Sequence, residues 1–157
     1  MLGRVLKVRN WWDDVNEDIV LGAYPFETDV PELAKIGVRA VVNTCHEYAG
    51  PTQAYQEYSI EQFRIPTTDF THPSQNDVEA AVAFMDDAIK KGARVYVHCK
   101  AGRARSATVV ACWLIKNKKM TAMEAQNFLL RARSHVNKKL ALRPVVIEFE
   151  KKYCHSK

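Results

Sequence analysis

Apolar positions along the chain fall into short continuous runs separated by longer stretches with helical spacing. The first run, Asp18-Ile19-Val20-Leu21-Gly22, ends in glycine and is followed by Pro25, which predicts a strand leading into a loop. Thr28-Asp29-Val30-Pro31 offers a capping residue and an early proline ahead of Leu33, Ala34 and Ile36, and Gly37 closes that short helix. Val38 to Val42 reads as a buried strand. Asn43 to Tyr58 holds Gly50 and Pro51 and keeps no steady period, so a long surface loop with at most one helical turn is expected. A third strand, Glu61 to Ile65, is expected to stop at Pro66.

From Ser74 the pattern changes. Val78, Ala81, Val82, Met85 and Ile89 recur at helical spacing, Ser74 to Asp77 supply capping chemistry, and Gly92 ends the helix. Arg94 to His98, centred on Val95-Tyr96-Val97, predicts a central buried strand, and Ser106 to Asn117 an equally apolar helix. Thr121-Ala122-Met123-Glu124 is a capping box that opens a helix carrying Ala125, Phe128 and Leu129. A last helix follows Pro144 through Val145, Val146, Phe149 and Tyr153. Strands alternating with helices, without repeats, predict one α/β domain over residues 1–157, with a mostly parallel central sheet flanked by helices. Ligands bind such sheets beyond the carboxyl ends of the strands, so the loop after Val97 is the expected site.

Composition narrows the class. A length of 157 residues with 47% apolar content suits one packed core, and the net charge of +5 favours anionic partners. Four cysteines, Cys45, Cys99, Cys112 and Cys154, form no C-x-x-C pair, which argues against a disulfide framework or a zinc site and for a reducing compartment. No apolar run approaches the roughly 20 residues needed to span a bilayer. Residues Met1 to Asn10 form a basic arm without acids. Lys116-Asn117-Lys118-Lys119 sits where a helix end would be complemented by cations. No basic patch is interleaved with aromatics, so nucleic acid is not an expected partner.

The chemistry is concentrated in His98-Cys99-Lys100-Ala101-Gly102-Arg103-Ala104-Arg105-Ser106, between a predicted strand and a predicted helix. A loop there turns its amides inward and, with the helix N-terminus, makes a concavity suited to a phosphate dianion. The same field favours the thiolate of Cys99. Arg105 follows after five residues, enough chain to wrap a phosphate and present a planar guanidinium to two of its oxygens. Ser106 can donate toward the sulfur and also cap the helix. His98 reads as a packing residue that orients the loop.

These residues resemble the signature of the protein tyrosine phosphatase superfamily: His-Cys, five residues, Arg, then Ser or Thr. The longer string Tyr96 to Thr108 is similar to the mitochondrial protein tyrosine phosphatase group, known as phosphatidylglycerophosphate phosphatases of cardiolipin synthesis. Leu21-Gly22-Ala23-Tyr24-Pro25, Glu47-Tyr48 and Thr68-Asp69 agree with it. The resemblance implies a dual-specificity phosphatase-like fold and no cofactor or metal. Cys99, Arg105, Asp69 and Ser106 would be catalytic, with Asp69 as acid and then base on a mobile loop. Lys100, Ala101, Gly102, Arg103, Ala104, Glu47 and Tyr48 would bind substrate. It further implies a monomer acting on an anionic phospholipid at a membrane surface, at the mitochondrial inner membrane in a eukaryote and otherwise at the cytoplasmic membrane face. The chain departs from the group at Cys45-His46-Glu47-Tyr48-Ala49, where only the central Glu-Tyr is kept. Lys100 and Arg103 suit a substrate with a second phosphate. A dual-specificity protein phosphatase, a phosphoinositide phosphatase and a non-catalytic phosphate-binding module are the competing expectations.

Overall fold

The computed structural model describes residues 10–154, so the basic arm expected over residues 1–10 lies almost wholly outside them. Five strands, β1 (Trp12–Asp14), β2 (Ile19–Gly22), β3 (Val38–Cys45), β4 (Glu61–Thr67) and β5 (Arg94–His98), form one sheet in the order β1-β2-β5-β3-β4. β2, β5, β3 and β4 run parallel, and β1 is an antiparallel edge. The helices are α1 (Val30–Lys35), α2 (Thr52–Glu57), α3 (Gln75–Lys90), α4 (Arg105–Lys118), α5 (Ala122–Ala132) and α6 (Pro144–Tyr153). Mixed α/β architecture with a mostly parallel sheet between helices is therefore as expected.

Strand periodicity sorts the core into two. Ile19, Leu21, Ala40, Val42, Val95 and Val97 join the larger cluster with α3 to α6, while Val20, Val41 and Tyr96 point the other way, to α1 and α2. This two-sided burial is why the parallel strands read as continuous apolar runs. α4 is buried at every position from Arg105 through Ile115. It packs against β2, β3 and β5 on one side and α3, α5 and α6 on the others. Burying one of its Val or Leu side chains contributes about 1.5–3 kcal/mol, so packing and not capping holds the helix in place.

Two local expectations need correction, and one strand was missed. β4 does not stop at Pro66 but runs to Thr67, which pairs with Cys45. β4 is an outer strand of the sheet, where an N–H facing away from β3 makes no ladder bond and its loss costs none. The segment Asn43 to Tyr58 is less irregular than its composition suggests, because β3 continues to Cys45 and α2 fills Thr52–Glu57. β1 was not anticipated, since three residues are too short to show a period. The capping box at Thr121 does form: Thr121 Oγ1 accepts from the Glu124 N–H at 3.1 Å, and Glu124 Oε1 accepts from the Thr121 N–H at 2.8 Å.

Candidate active site

Because β2, β5, β3 and β4 are parallel, their carboxyl ends share one edge of the sheet. Gly22, Cys99, Glu47 and Asp69 lie at or just beyond those four ends. Residues 99–104 curl over the N-terminus of α4, and no side chain caps that helix at Ala104. The first-turn amides are left for the sulfur and for an anion. Cys99 is 3% exposed. Its Sγ lies 3.1 Å from Ser106 Oγ and accepts the Gly102 N–H at 3.2 Å. Ser106 stands inside α4 and turns its hydroxyl to the sulfur, so it does not serve as the N-cap.

Two features shape this loop. Gly102 has φ +68°, and a Cβ there would sit 2.5 Å from the backbone carbon of Gly22 and 2.6 Å from its oxygen. Gly22 is equally confined, by Tyr96 and Trp12. The loop therefore packs glycine to glycine against the end of β2. Behind it, buried Arg133 donates to the carbonyls of Ala101 (2.9 Å) and Gly102 (3.0 Å) and pairs with Asp13 at 2.8 Å. With those carbonyls held outward, the loop amides are directed toward the sulfur.

The electrostatics follow from these contacts. Burial alone would raise the Cys99 thiol, but hydrogen bonds from the Ser106 hydroxyl and from the amides of Ser106, Arg103 and Ala104 outweigh it and hold the thiol below its ordinary value. At the neighbouring strand end, burial and then Glu47 push Cys45 up to about 12. Arg105 is almost fully buried. Its Nη1 and Nη2 donate to Glu47 Oε1 and Oε2, both at 2.9 Å, and Nη1 also donates to the Thr67 carbonyl at 2.8 Å. That fork leaves Nε and the second Nη2 hydrogen for an anion. The Arg105 hydrogen bond holds the Glu47 carboxyl down at about 2. Asp69 is half-exposed, 3.4 Å from Arg105 Nη2, and accepts the Phe70 N–H at 3.0 Å. His98 is buried and donates through Nδ1 to the Cys99 carbonyl at 3.2 Å; burial pulls it down to about 4, so it is neutral.

A cleft of about 380 Å³ opens over the sulfur, and Asp69, Cys99, Lys100, Ala101, Arg103, Ala104 and Arg105 all line it. Glu47 and Tyr48 are not in its lining. Glu47 meets Arg105, and Tyr48 donates to the Pro25 carbonyl at 2.6 Å and packs on Tyr24. Arg103 turns its Nε to the His135 carbonyl at 2.9 Å, bracing the wall made by residues 134–139. Sequence reasoning missed Arg133, Asn137 and Arg143, the last two of which line the cleft. For Arg143 a signal existed, because an arginine just before a helix-opening proline stands at the positive end of a helix. Among the described residues, no group of three or more His, Cys, Asp or Glu side chains is placed to hold a metal ion.

Comparison with known proteins agrees with this geometry. The chain is 42% identical over 144 residues to a phosphatidylglycerophosphate phosphatase of Arabidopsis thaliana, PTPMT2, covering 90% of this chain and 63% of the relative. It is 33% identical over 150 residues to the human phosphatidylglycerophosphatase and protein-tyrosine phosphatase 1, covering 91% and 75%. It spans less than two thirds of the length of PTPMT2 and 42% of a second Arabidopsis phosphatidylglycerophosphate phosphatase. The crystal structure of PTPMT1 in complex with PI(5)P superposes with a TM-score of 0.85 at 31% identity, covering 91% of this chain and 96% of that one. Residues 19–152 match the family described as dual specificity phosphatase, catalytic domain, and the chain belongs to that family.

Proposed function

We propose that this chain hydrolyses phosphate monoesters through a phosphocysteine on Cys99, and that its substrate is phosphatidylglycerophosphate at a membrane surface. The observation that carries the chemistry is the sulfur itself, buried yet held low by a hydroxyl and a ring of amides. The thiolate attacks phosphorus while the P–O bond to the alcohol breaks, and Asp69 gives the leaving alkoxide a proton. Asp69, now a carboxylate, takes a proton from the water that attacks the phosphocysteine, and the P–S bond breaks. Ser106 donates to the departing sulfur. Arg105, aimed by Glu47, and the loop amides hold the phosphoryl oxygens throughout. Glu47 thus acts through Arg105 and not on substrate.

Three observations support the lipid part. The relatives named above are called phosphatidylglycerophosphate phosphatase or phosphatidylglycerophosphatase. A more open hollow of about 650 Å³, bounded by Lys138 and Lys139, adjoins the cleft and shares Arg103 and Asn137 with it, giving room for a large anionic headgroup. Phe70, beside the acid, is 97% exposed at the mouth, as suits contact with an apolar phase. No described helix is long and apolar enough to cross a membrane; peripheral contact belongs to this reading. A monomer and a mitochondrial inner-membrane location belong to this reading through the family. A phosphoinositide is the second candidate, because PTPMT1 was crystallised with one.

The test is phosphate release from phosphatidylglycerophosphate, phosphoinositides, phosphopeptides and an aryl phosphate, with the lipids in vesicles. Phosphatidylglycerophosphate is expected to give the highest kcat/KM, and Cys99→Ser none on any substrate. A protein that turns over the aryl phosphate but favours no lipid would end the lipid reading and leave the cysteine chemistry standing.

A further inference from the structure

Among the described residues, Arg143 is a half-buried cation with no carboxylate beside it, whereas Arg94, Arg105 and Arg133 each sit within 2.9 Å of an acid and Arg64 donates to the carbonyls of Cys45 and Tyr48. Arg143 donates from Nη1 to Thr108 Oγ1 at 2.9 Å, and that hydroxyl donates in turn to the Ala104 carbonyl at 2.7 Å. The chain of bonds pins the guanidinium beside the first turn of α4 and uses one of its five donors. Arg143 also stands at the N-terminus of α6, where the helix dipole repels a cation. Burial disfavours its charge further, while the Cys99 thiolate favours it. A charge kept in so unfavourable a place, lining the cleft that holds the nucleophile, is explained by an anion that arrives with the substrate.

We propose that Arg143 forms a second anion subsite that recognises a phosphate group separated by a short carbon linker from the monoester being cleaved. The inference deepens the proposed function, since phosphatidylglycerophosphate carries a phosphodiester three carbons from its terminal phosphate. Asn137 closes the same wall. Its backbone N–H donates to the Arg103 carbonyl at 2.8 Å, which fixes the distance between this wall and the phosphate loop. Arg105 and the loop amides would take the reacting group, and Arg143 the second one, so recognition of the two phosphates is divided between α4 and the start of α6.

The experiment reads inhibition of aryl phosphate turnover by glycerol 1,3-bisphosphate and by glycerol 1-phosphate, in wild type, Arg143→Gln, Arg143→Lys and Lys35→Gln, the last an exposed lysine outside the cleft and the adjoining hollow. Wild type is expected to bind the bisphosphate about tenfold or more tightly than the monophosphate, the scale of one charge-assisted hydrogen bond. Arg143→Gln should remove most of that ratio, Arg143→Lys should keep part of it, and Lys35→Gln should leave it in place. Wild type without a preference overturns the subsite. So does an Arg143→Gln protein with an unchanged ratio, and an equal loss in Lys35→Gln would assign the preference to diffuse charge. Because neither inhibitor is a lipid, these outcomes are independent of whether phosphatidylglycerophosphate proves to be the substrate.

Discussion

Cys45 and Cys99 stand at the ends of adjacent parallel strands, yet one is pushed up to about 12 and the other held below its ordinary value. Both are buried, so burial does not separate them. What differs is the donors: Cys99 receives a hydroxyl and several amides, whereas Cys45 faces the Glu47 carboxylate. The same logic of neighbours supports the role proposed for Asp69. It lies in a turn closed by the Thr71 N–H on the Thr68 carbonyl, 3.4 Å from Arg105 and within the cleft lining. Asp69→Asn is expected to lower kcat by about 10²–10⁴-fold on a lipid phosphate, whose alkoxide leaves poorly without a proton. The loss should be smaller on an aryl phosphate with an acidic phenol. Equal losses on both would remove Asp69 from the proton transfer.

At the level of elements, the phosphate loop is held by contacts from three directions. Gly22 at the end of β2 lies under it, Arg133 from the end of α5 binds its carbonyls, and α4 carries it forward. The Gly22–Gly102 contact has no slack, since a Cβ on Gly102 would meet backbone at 2.5 Å from a residue already at positive φ. Gly102→Ala should therefore shift the loop and cost about 10²-fold in kcat, the scale of a catalytic group displaced by about an ångström. Stopped-assay kinetics with an aryl phosphate would check this, and wild-type kcat in the variant would show that the loop tolerates the displacement. The Leu21-Gly22-Ala23-Tyr24-Pro25 string thus has a physical role: Tyr24 N–H also donates to the Lys100 carbonyl, at 3.3 Å.

Across the whole molecule, the sheet buries a neutral histidine at the end of the strand that leads into Cys99. His98 is held down at about 4 in the fold, against 6.5 as the ordinary value. Below pH 6.5 the unfolded chain takes up a proton that the native protein refuses, so this group's contribution is intact above 6.5 and is lost as the pH falls toward 4. The slope for one proton is about 1.4 kcal/mol per pH unit. Glu47, held at about 2 against 4.5, adds a loss at still lower pH, weakened by its exposure to solvent. Urea midpoints measured from pH 7 to 4.5 are expected to fall for wild type and to fall less steeply for His98→Asn. Equal slopes would assign the loss to other groups.

Sequence by itself determined what depends on neighbours along the chain. The α/β alternation, the capping box at Thr121 and the strand–loop–helix unit around Cys99 were all legible, because strand periods, caps and a loop wrapped on an anion are set by residues within about ten positions of one another. Tertiary structure alone decided what depends on distant segments meeting. Arg133 reaches the loop from 31 residues away, Glu47 reaches Arg105 across 58, and Arg143 meets Thr108 across 35. Pro66 does not end β4, because its cost depends on whether β4 is an outer strand, and the pairing of Glu47 with Arg105 is not legible in the sequence, because a carboxylate's partner is invisible until the sheet brings β3 beside the loop. The physical reason is common to all of these. Local propensity encodes the backbone path, but the charge state and aim of each functional group come from low-dielectric contacts that exist only once the strands are in register.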